Sequence, residues 1–260
     1  MLDPVEHFAA LVTRADAQID LAEAALAIAR ADHPDLDPEV WLTRIEDFAY
    51  GVDDLDSLRR RLFDELGFDG EREHYYEPEM SFLDVAIERR RAIPITLSVL
   101  TIEVGRRAGI KLEGVGMPGH FLVRSPMTGD YIDPFFNGQL MDEEAVAARF
   151  RQVTGVPAEV KFSPGMRPVS NNQEILARML NNLKAIYKAR NDGRSLEWVL
   201  RMRLALPIIP RDEVADLGQA LALQGRVREG AAEVMAAAEE HPEIADQLRA
   251  AARSLRSSLN

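Results

Sequence analysis

Between Leu112 and Asp133 the chain breaks into three short extended runs, Leu112 to Met117, His120 to Ser125 and Asp130 to Asp133. Pro118-Gly119 and Thr128-Gly129 separate them, which is strand and turn chemistry. On either side the apolar residues recur at helical spacing. A sequence with one patch of strand among helices must lay a small antiparallel sheet against those helices, so the fold class is α+β and mostly helical. No apolar run approaches the roughly 20 residues a membrane-spanning helix needs, so no membrane partner is expected.

Pro4 to Arg30 reads as a long Ala-rich helix ending near Asp32-His33-Pro34. Asp37 before Pro38 is an N-cap with proline in the first turn, opening a helix to about Tyr50. A third helix runs from Leu55 to Leu66, with Asp53, Asp54 and Asp56 at its positive end and Gly67 as its stop. Gly67 to Pro78 is a loop whose Tyr75 and Tyr76 are expected to pack on the body. Ser81 is the expected N-cap of a short helix to Arg90, and Pro94 opens a buried helix that ends at Ala108-Gly109. The composition shifts after Gly155 and Pro157, and Ser163-Pro164-Gly165 has linker composition. The reading therefore places a first domain over residues 1–160 and an all-helical second over 170–260. Within the second, Gly193, Arg194, Glu197 and Pro210 superpose on Gly225, Arg226, Glu229 and Pro242 at an offset of 32. Helical hairpins repeating every ~34 residues are the tetratricopeptide pattern, so a degenerate array of that type is expected.

Cysteine is absent, which excludes disulfides, thiolate metal sites and a cysteine nucleophile. A formal net charge of −12 repels phosphate backbones, and the one strong basic run, Glu88-Arg89-Arg90-Arg91, suits a helix end. No nucleic-acid partner is expected. Met1 to Glu6 carries two acids and no basic segment leading into an apolar one, so the expected location is cytoplasmic.

Candidate chemistry lies between Arg91 and Gly138. A helix led by Ala92-Ile93-Pro94, a strand holding His120 and a strand holding Asp133 follow the chain order of nucleophile, base and orienter on a papain-like scaffold. On neighbouring antiparallel strands the carboxylate can reach the imidazole and fix its tautomer. Two readings stand: a functional pair, or a histidine satisfied for structure alone.

The run Asp84-Val85-Ala86-Ile87-Glu88-Arg89-Arg90-Arg91-Ala92-Ile93-Pro94-Ile95-Thr96-Leu97-Ser98, with Gly114-Val115-Gly116-Met117-Pro118-Gly119-His120-Phe121-Leu122-Val123-Arg124 and Ile132-Asp133-Pro134-Phe135, resembles the bacterial SirB family. The resemblance extends to Asp20 to Leu26, Glu65 to Phe68 and Leu183 to Tyr187. It implies a papain-like, transglutaminase-type core, a helix bundle plus a small antiparallel sheet, followed by an all-α tetratricopeptide-like repeat domain. In active transglutaminase-like proteins the cysteine opens the core helix, about 15 residues before a Gly-Ile pair, and counting back from Gly109-Ile110 reaches Pro94. His120 and Asp133 match the other two positions, so the resemblance implies a vestigial dyad without its nucleophile. Thr96 and Ser98, in the first turns of the same helix, are the candidate substitutes. A metal site would draw on His74, His120 and Asp133, but no local ligand spacing supports one and no metal or other cofactor is expected. The expected function is a non-catalytic protein or peptide binding or adaptor module, engaging its partner through the cleft or the repeat domain. The alternative is a hydrolase, of amidase or peptidase type, in which His120 with Asp133 activates water.

Overall fold

The computed structural model describes residues 3–157, 163, 165 and 168–257. In chain order the elements are α1 (Pro4–Val12), α2 (Leu21–Asp32), α3 (Pro38–Ala49), α4 (Leu55–Arg59), β1 (Asp69–Gly70), α5 (Leu83–Arg89), β2 (Arg91–Ala92) and α6 (Pro94–Arg107). The sheet strands β3 (Glu113–Met117), β4 (His120–Arg124), β5 (Tyr131–Asp133) and β6 (Gln139–Met141) follow, then α7 (Glu143–Thr154) and β7 (Val169–Ser170). The chain ends in α8 (Asn172–Ala189), α9 (Gly193–Ala205), α10 (Val214–Leu223), α11 (Val227–Glu240) and α12 (Ala245–Ser257). The fold is mostly helical with a small antiparallel sheet of order β6-β5-β4-β3-β7.

Pro94 is the first residue of α6, where its missing N–H costs no intrahelical bond. The helix is buried along nearly its whole length and packs against β4. β3 and β4 pair from Glu113↔Arg124 to Met117↔His120, so the Pro118-Gly119 turn places His120 on the last rung of the hairpin. Gly119 adopts φ 73° there, a conformation that strains any other residue.

Four local expectations change. The helix over 4–30 is broken at residues 13–20, because that stretch binds α8. Asp16 accepts hydrogen bonds from the backbone N–H groups of Asn172 (3.2 Å) and Gln173 (2.9 Å), and Asp20 caps α2 anew by accepting from Glu23 N at 3.0 Å. Ser81 ends a 3-10 turn over Pro78–Ser81 and caps nothing; α5 begins at Leu83, one residue later than expected, with Phe82 at its N-cap position. Tyr75 packs edge-on against Phe135 at 6.0 Å, but Tyr76 is 78% exposed. The helix over 55–66 loosens into a π turn at Arg60–Glu65, and Phe63 lies against Gly138 so closely that a Cβ there would stand 2.0 Å from its ring.

The main apolar core runs without a break from Phe8 to Leu221 and includes Ile175, Leu180 and Leu200 of α8 and α9. The two-domain division at 160 and 170 therefore does not coincide with a gap in the core, while a smaller cluster from Val214 to Leu255 joins α10, α11 and α12. Residue 160 and Pro164 of the expected linker lie outside the described residues. The helix boundaries of α8–α9 and α10–α11 are spaced by 34 positions, not 32. Ala189 and Leu223 end helices, Gly193 and Val227 begin them, and Asn191 and Gly225 turn left-handed between, each pair 34 positions apart. Gly193 and Gly225 are thus not equivalent. Gly225 is a turn residue at φ 78°, whereas Gly193 begins α9 so close to α10 that a Cβ would meet the Ala220 carbonyl at 2.7 Å.

Asp16 is the cap that ties the N-terminal helices to α8. Asp16→Ala is expected to lower stability in urea unfolding by about 0.5–2 kcal/mol, the range for a lost N-cap carboxylate. A His–Asp contact elsewhere joins α2 to α5: His33 Nδ1 lies 2.7 Å from Asp84 Oδ2. The hydrogen bond to Asp84 raises the His33 pKa above its ordinary value, opposed by burial and aided by the charges of Asp84, Asp32 and Glu79. A histidine raised on folding contributes stability that is complete below its unfolded pKa of about 6.5 and lost as pH climbs through the folded value. Unfolding measured from about pH 6 to 9 should show that loss in the wild type, and His33→Gln should remove this component.

Candidate functional site

Asp133 leaves β5 and caps the short turn Pro134–Phe136, accepting from Phe135 N at 3.2 Å through Oδ1. The same oxygen lies 2.9 Å from His120 Nε2. Asp133 has no exposed surface and His120 is 3% exposed. The other oxygen, Oδ2, faces Arg149 of α7, whose Nε stands 2.8 Å away, within ion-pair range although its N–H is not aimed along that line. Arg149 is itself held by Gln139 and Gln152, each 2.6 Å from a guanidinium nitrogen, and lies 3.5 Å over the Phe136 ring. In the tautomer that carries its proton on Nε2, His120 donates to this oxygen and keeps Nδ1 as an acceptor. Phe135 and Phe136 stand against the imidazole at 5.8 and 5.9 Å and limit its rotation.

The start of α6 abuts this pair. Pro94 and His120 together line a cleft of about 550 Å³ whose far wall is α8, with Arg178, Asn181 and Asn182, and whose lip is Tyr75. A second depression of about 540 Å³ on the side of Arg72 and Phe136 shares Tyr75, Pro94, Gly119 and His120. His120 is thus the floor on which two clefts meet. Arg178 fixes the hairpin that carries it, one guanidinium nitrogen donating to both the Met117 and His120 carbonyls at 2.8 Å.

The candidate substitute nucleophiles are placed elsewhere. Thr96 donates to the Met80 carbonyl at 3.2 Å and Ser98 is 3.5 Å from the Phe121 carbonyl; both are wholly buried and neither lines a cleft. Both hydroxyls behave as helix residues satisfied by carbonyls. His74 lies in the loop with its backbone N–H on Glu71, and among the described residues no three His, Asp or Glu side chains gather to hold a metal. Likewise no helix among them is long and apolar enough to cross a membrane. Arg149 and Arg178 are the site residues that sequence patterning does not reveal. Arg149 is one of two arginines in α7, with Arg151, and only the tertiary fold selects it.

A helix opening beside an antiparallel sheet that carries a bonded His–Asp pair is the transglutaminase-type arrangement, and comparison with known sequences agrees. The model of the transglutaminase-like superfamily matches residues 15–181, and the chain belongs to that superfamily. A UPF0162 protein of Xylella fastidiosa (strain 9a5c) is 36% identical over 196 residues, 70% of this chain and 69% of the relative. A UPF0162 protein of Vibrio cholerae is 29% identical over 219 residues, covering 77% and 78%. F-box only protein 21 of Mus musculus is 32% identical over 186 residues, 66% of this chain but 27% of that longer protein.

Arg149 compensates a buried carboxylate. Removing one partner of such a pair costs about 3–5 kcal/mol, so Arg149→Met is expected to lose stability of that order in urea unfolding. Asp133→Asn added to Arg149→Met should recover a substantial part of the loss, because no uncompensated charge then remains.

Proposed function

We propose that this is a SirB-type, non-catalytic transglutaminase-like protein, a binding or adaptor module that takes a protein or peptide segment in the cleft over His120. The observation that carries the reading is Pro94. It begins α6, lines both clefts beside His120, and stands in a chain without cysteine. A helix N-terminus favours a thiolate and offers backbone donors to an oxyanion, which is why acyl-transfer chemistry uses such a position. Proline supplies no nucleophile and removes one of those donors. What persists is the recognition half of such a site: a cleft, a fixed imidazole and a wall of amide side chains.

The hairpins that repeat every 34 positions support a degenerate tetratricopeptide-type array as a further surface for a partner. In mouse F-box only protein 21 the matched region is about a quarter of the chain, a unit joined to other sequence as a binding module would be. The second reading is a hydrolase of amidase or peptidase type in which His120 activates water. Its support is that the clefts reach His120, so a water and a carbonyl could share the space over Nδ1.

Restoring the thiol tests whether Pro94 occupies the nucleophile position. Pro94→Cys should fold, since the lost proline mainly returns unfolded-state entropy worth about 0.4–1 kcal/mol. The new thiol is expected to react with iodoacetamide faster than free cysteine at neutral pH, and His120→Ala in that background should slow it. A thiol no more reactive than free cysteine, or indifferent to His120, contradicts the assignment and leaves the His–Asp pair as a structural hydrogen bond.

A further inference from the structure

The lining of the cleft holds two arginines, Arg178 and Arg203, and one acid, Glu174. The protein carries a formal charge of −12, yet the cleft side of α8 presents Arg178, a cation with no carboxylate partner among the described residues. The other arginines around the clefts are neutralised. Arg203 is bound to Glu213, Arg72 to Asp69, Arg149 to Asp133 and Arg190, at the rim, to Glu77. Arg178 donates to the neutral Met117 and His120 carbonyls, both from the same terminal nitrogen, and its guanidinium lies 5.3 Å over the Phe121 ring. The rest of its guanidinium remains to donate, and its charge remains uncompensated. Burial pushes its pKa down with no nearby acid to oppose this, apart from the phenol of Tyr75. A desolvated charge without a partner is costly in a free protein, and a ligand that supplies the partner recovers that cost on binding.

Three further features favour the same ligand chemistry. Tyr75, on the opposite lip, has its phenol pKa raised by burial, so it keeps its proton and stays a donor. The α6 N-terminus, at Pro94 and Ile95, opens into the same cleft with no side chain capping it, which leaves its positive end facing the cavity. Asn181 and Asn182 follow Arg178 one turn along α8 and add amide groups able to pair with a peptide backbone. The one acid in the lining, Glu174, makes no ion pair with Arg178 and is turned to the backbone N–H of Asn171, from which it accepts at 2.9 Å in a capping box.

Resting on the binding reading above, we infer that the cleft recognises a carboxylate carried by a peptide, seated between Arg178 and Tyr75. Arginine suits this task because its planar fork can give a carboxylate two parallel hydrogen bonds while another nitrogen holds the hairpin. The carboxylate could be a chain terminus or an acidic side chain; both present the same two oxygens.

Titration of the full chain, labelled with nitrogen-15, against three acetylated pentapeptides separates these possibilities. The peptides are pentaalanine with a free C-terminus, pentaalanine amide, and the amide with a central glutamate. At least one carboxylate peptide is expected to bind about tenfold or more tightly than the neutral amide, with the Arg178 side-chain resonance among those that shift, as loss of a charge-assisted hydrogen bond implies. Comparing the two carboxylate peptides tells terminus from side chain. Arg178→Gln should bring the carboxylate peptide down to the affinity of the neutral one. Tyr75→Phe should weaken the same peptide several-fold, and it leaves untouched the hairpin that Arg178 braces. Equal binding of all three peptides in the cleft, or carboxylate binding unchanged in both variants, overturns this inference while the cleft remains a peptide site. No shift of cleft resonances with any peptide overturns it together with the binding reading.

Discussion

A carboxylate with no solvent contact survives folding only when fixed positive charge and hydrogen-bond donors surround it, and Asp133 is such a group. Its two oxygens divide between His120 and Arg149, and the backbone N–H of Phe135 completes the set. Everything near the clefts is arranged around that arrangement. β5 ends where Asp133 must turn inward, the Pro134–Phe136 turn places two aromatic rings against the imidazole, and α7 lies across the sheet so that Arg149 can reach Oδ2. The orientation of His120 follows from its contact with Asp133 through Nε2 and from the Phe135 and Phe136 rings packed against it.

The second organising contact is between the N-terminal segment and α8. α8 is capped from outside by Asp16 and contributes Arg178 to the β3–β4 hairpin, so the wall of the cleft and the hairpin carrying His120 are braced by one helix. Because the main core includes α8 and α9 along with α1 to α6, the cleft is built inside a single packed body. Such a site is preorganised, and a ligand entering it has little ordering of protein left to impose.

Most of this was legible where local chemistry decides local structure. The hairpin around Pro118-Gly119, the proline at the start of α6 and the neighbouring positions of His120 and Asp133 all follow from turn residues and strand alternation, and the structure places them accordingly. What escaped was set by distant partners. Residues 13–20 leave the helix because Asp16 serves α8, more than a hundred and fifty positions away. β6 and β7 are edge strands of three and two residues, too short to declare themselves without the ladder they join. Matching residue types in the C-terminal helices suggest a spacing of 32, whereas the left-handed turns at Asn191 and Gly225 lie 34 positions apart. Arg149 and Arg178 were invisible for a similar reason, since an arginine in an amphipathic helix announces no partner.

The central claim is that the cleft over His120 recognises a peptide without reacting with it. The most direct measurement selects binding peptides from a displayed library with the wild-type chain, follows one such peptide at equilibrium, and weighs the recovered peptide by mass spectrometry. The account predicts saturable one-to-one binding, abolished when Pro94→Trp fills the cleft, and a peptide recovered with its mass unchanged after prolonged incubation. A recovered peptide that has been cleaved or deamidated in a His120-dependent manner, or binding that ignores Pro94→Trp, would contradict it.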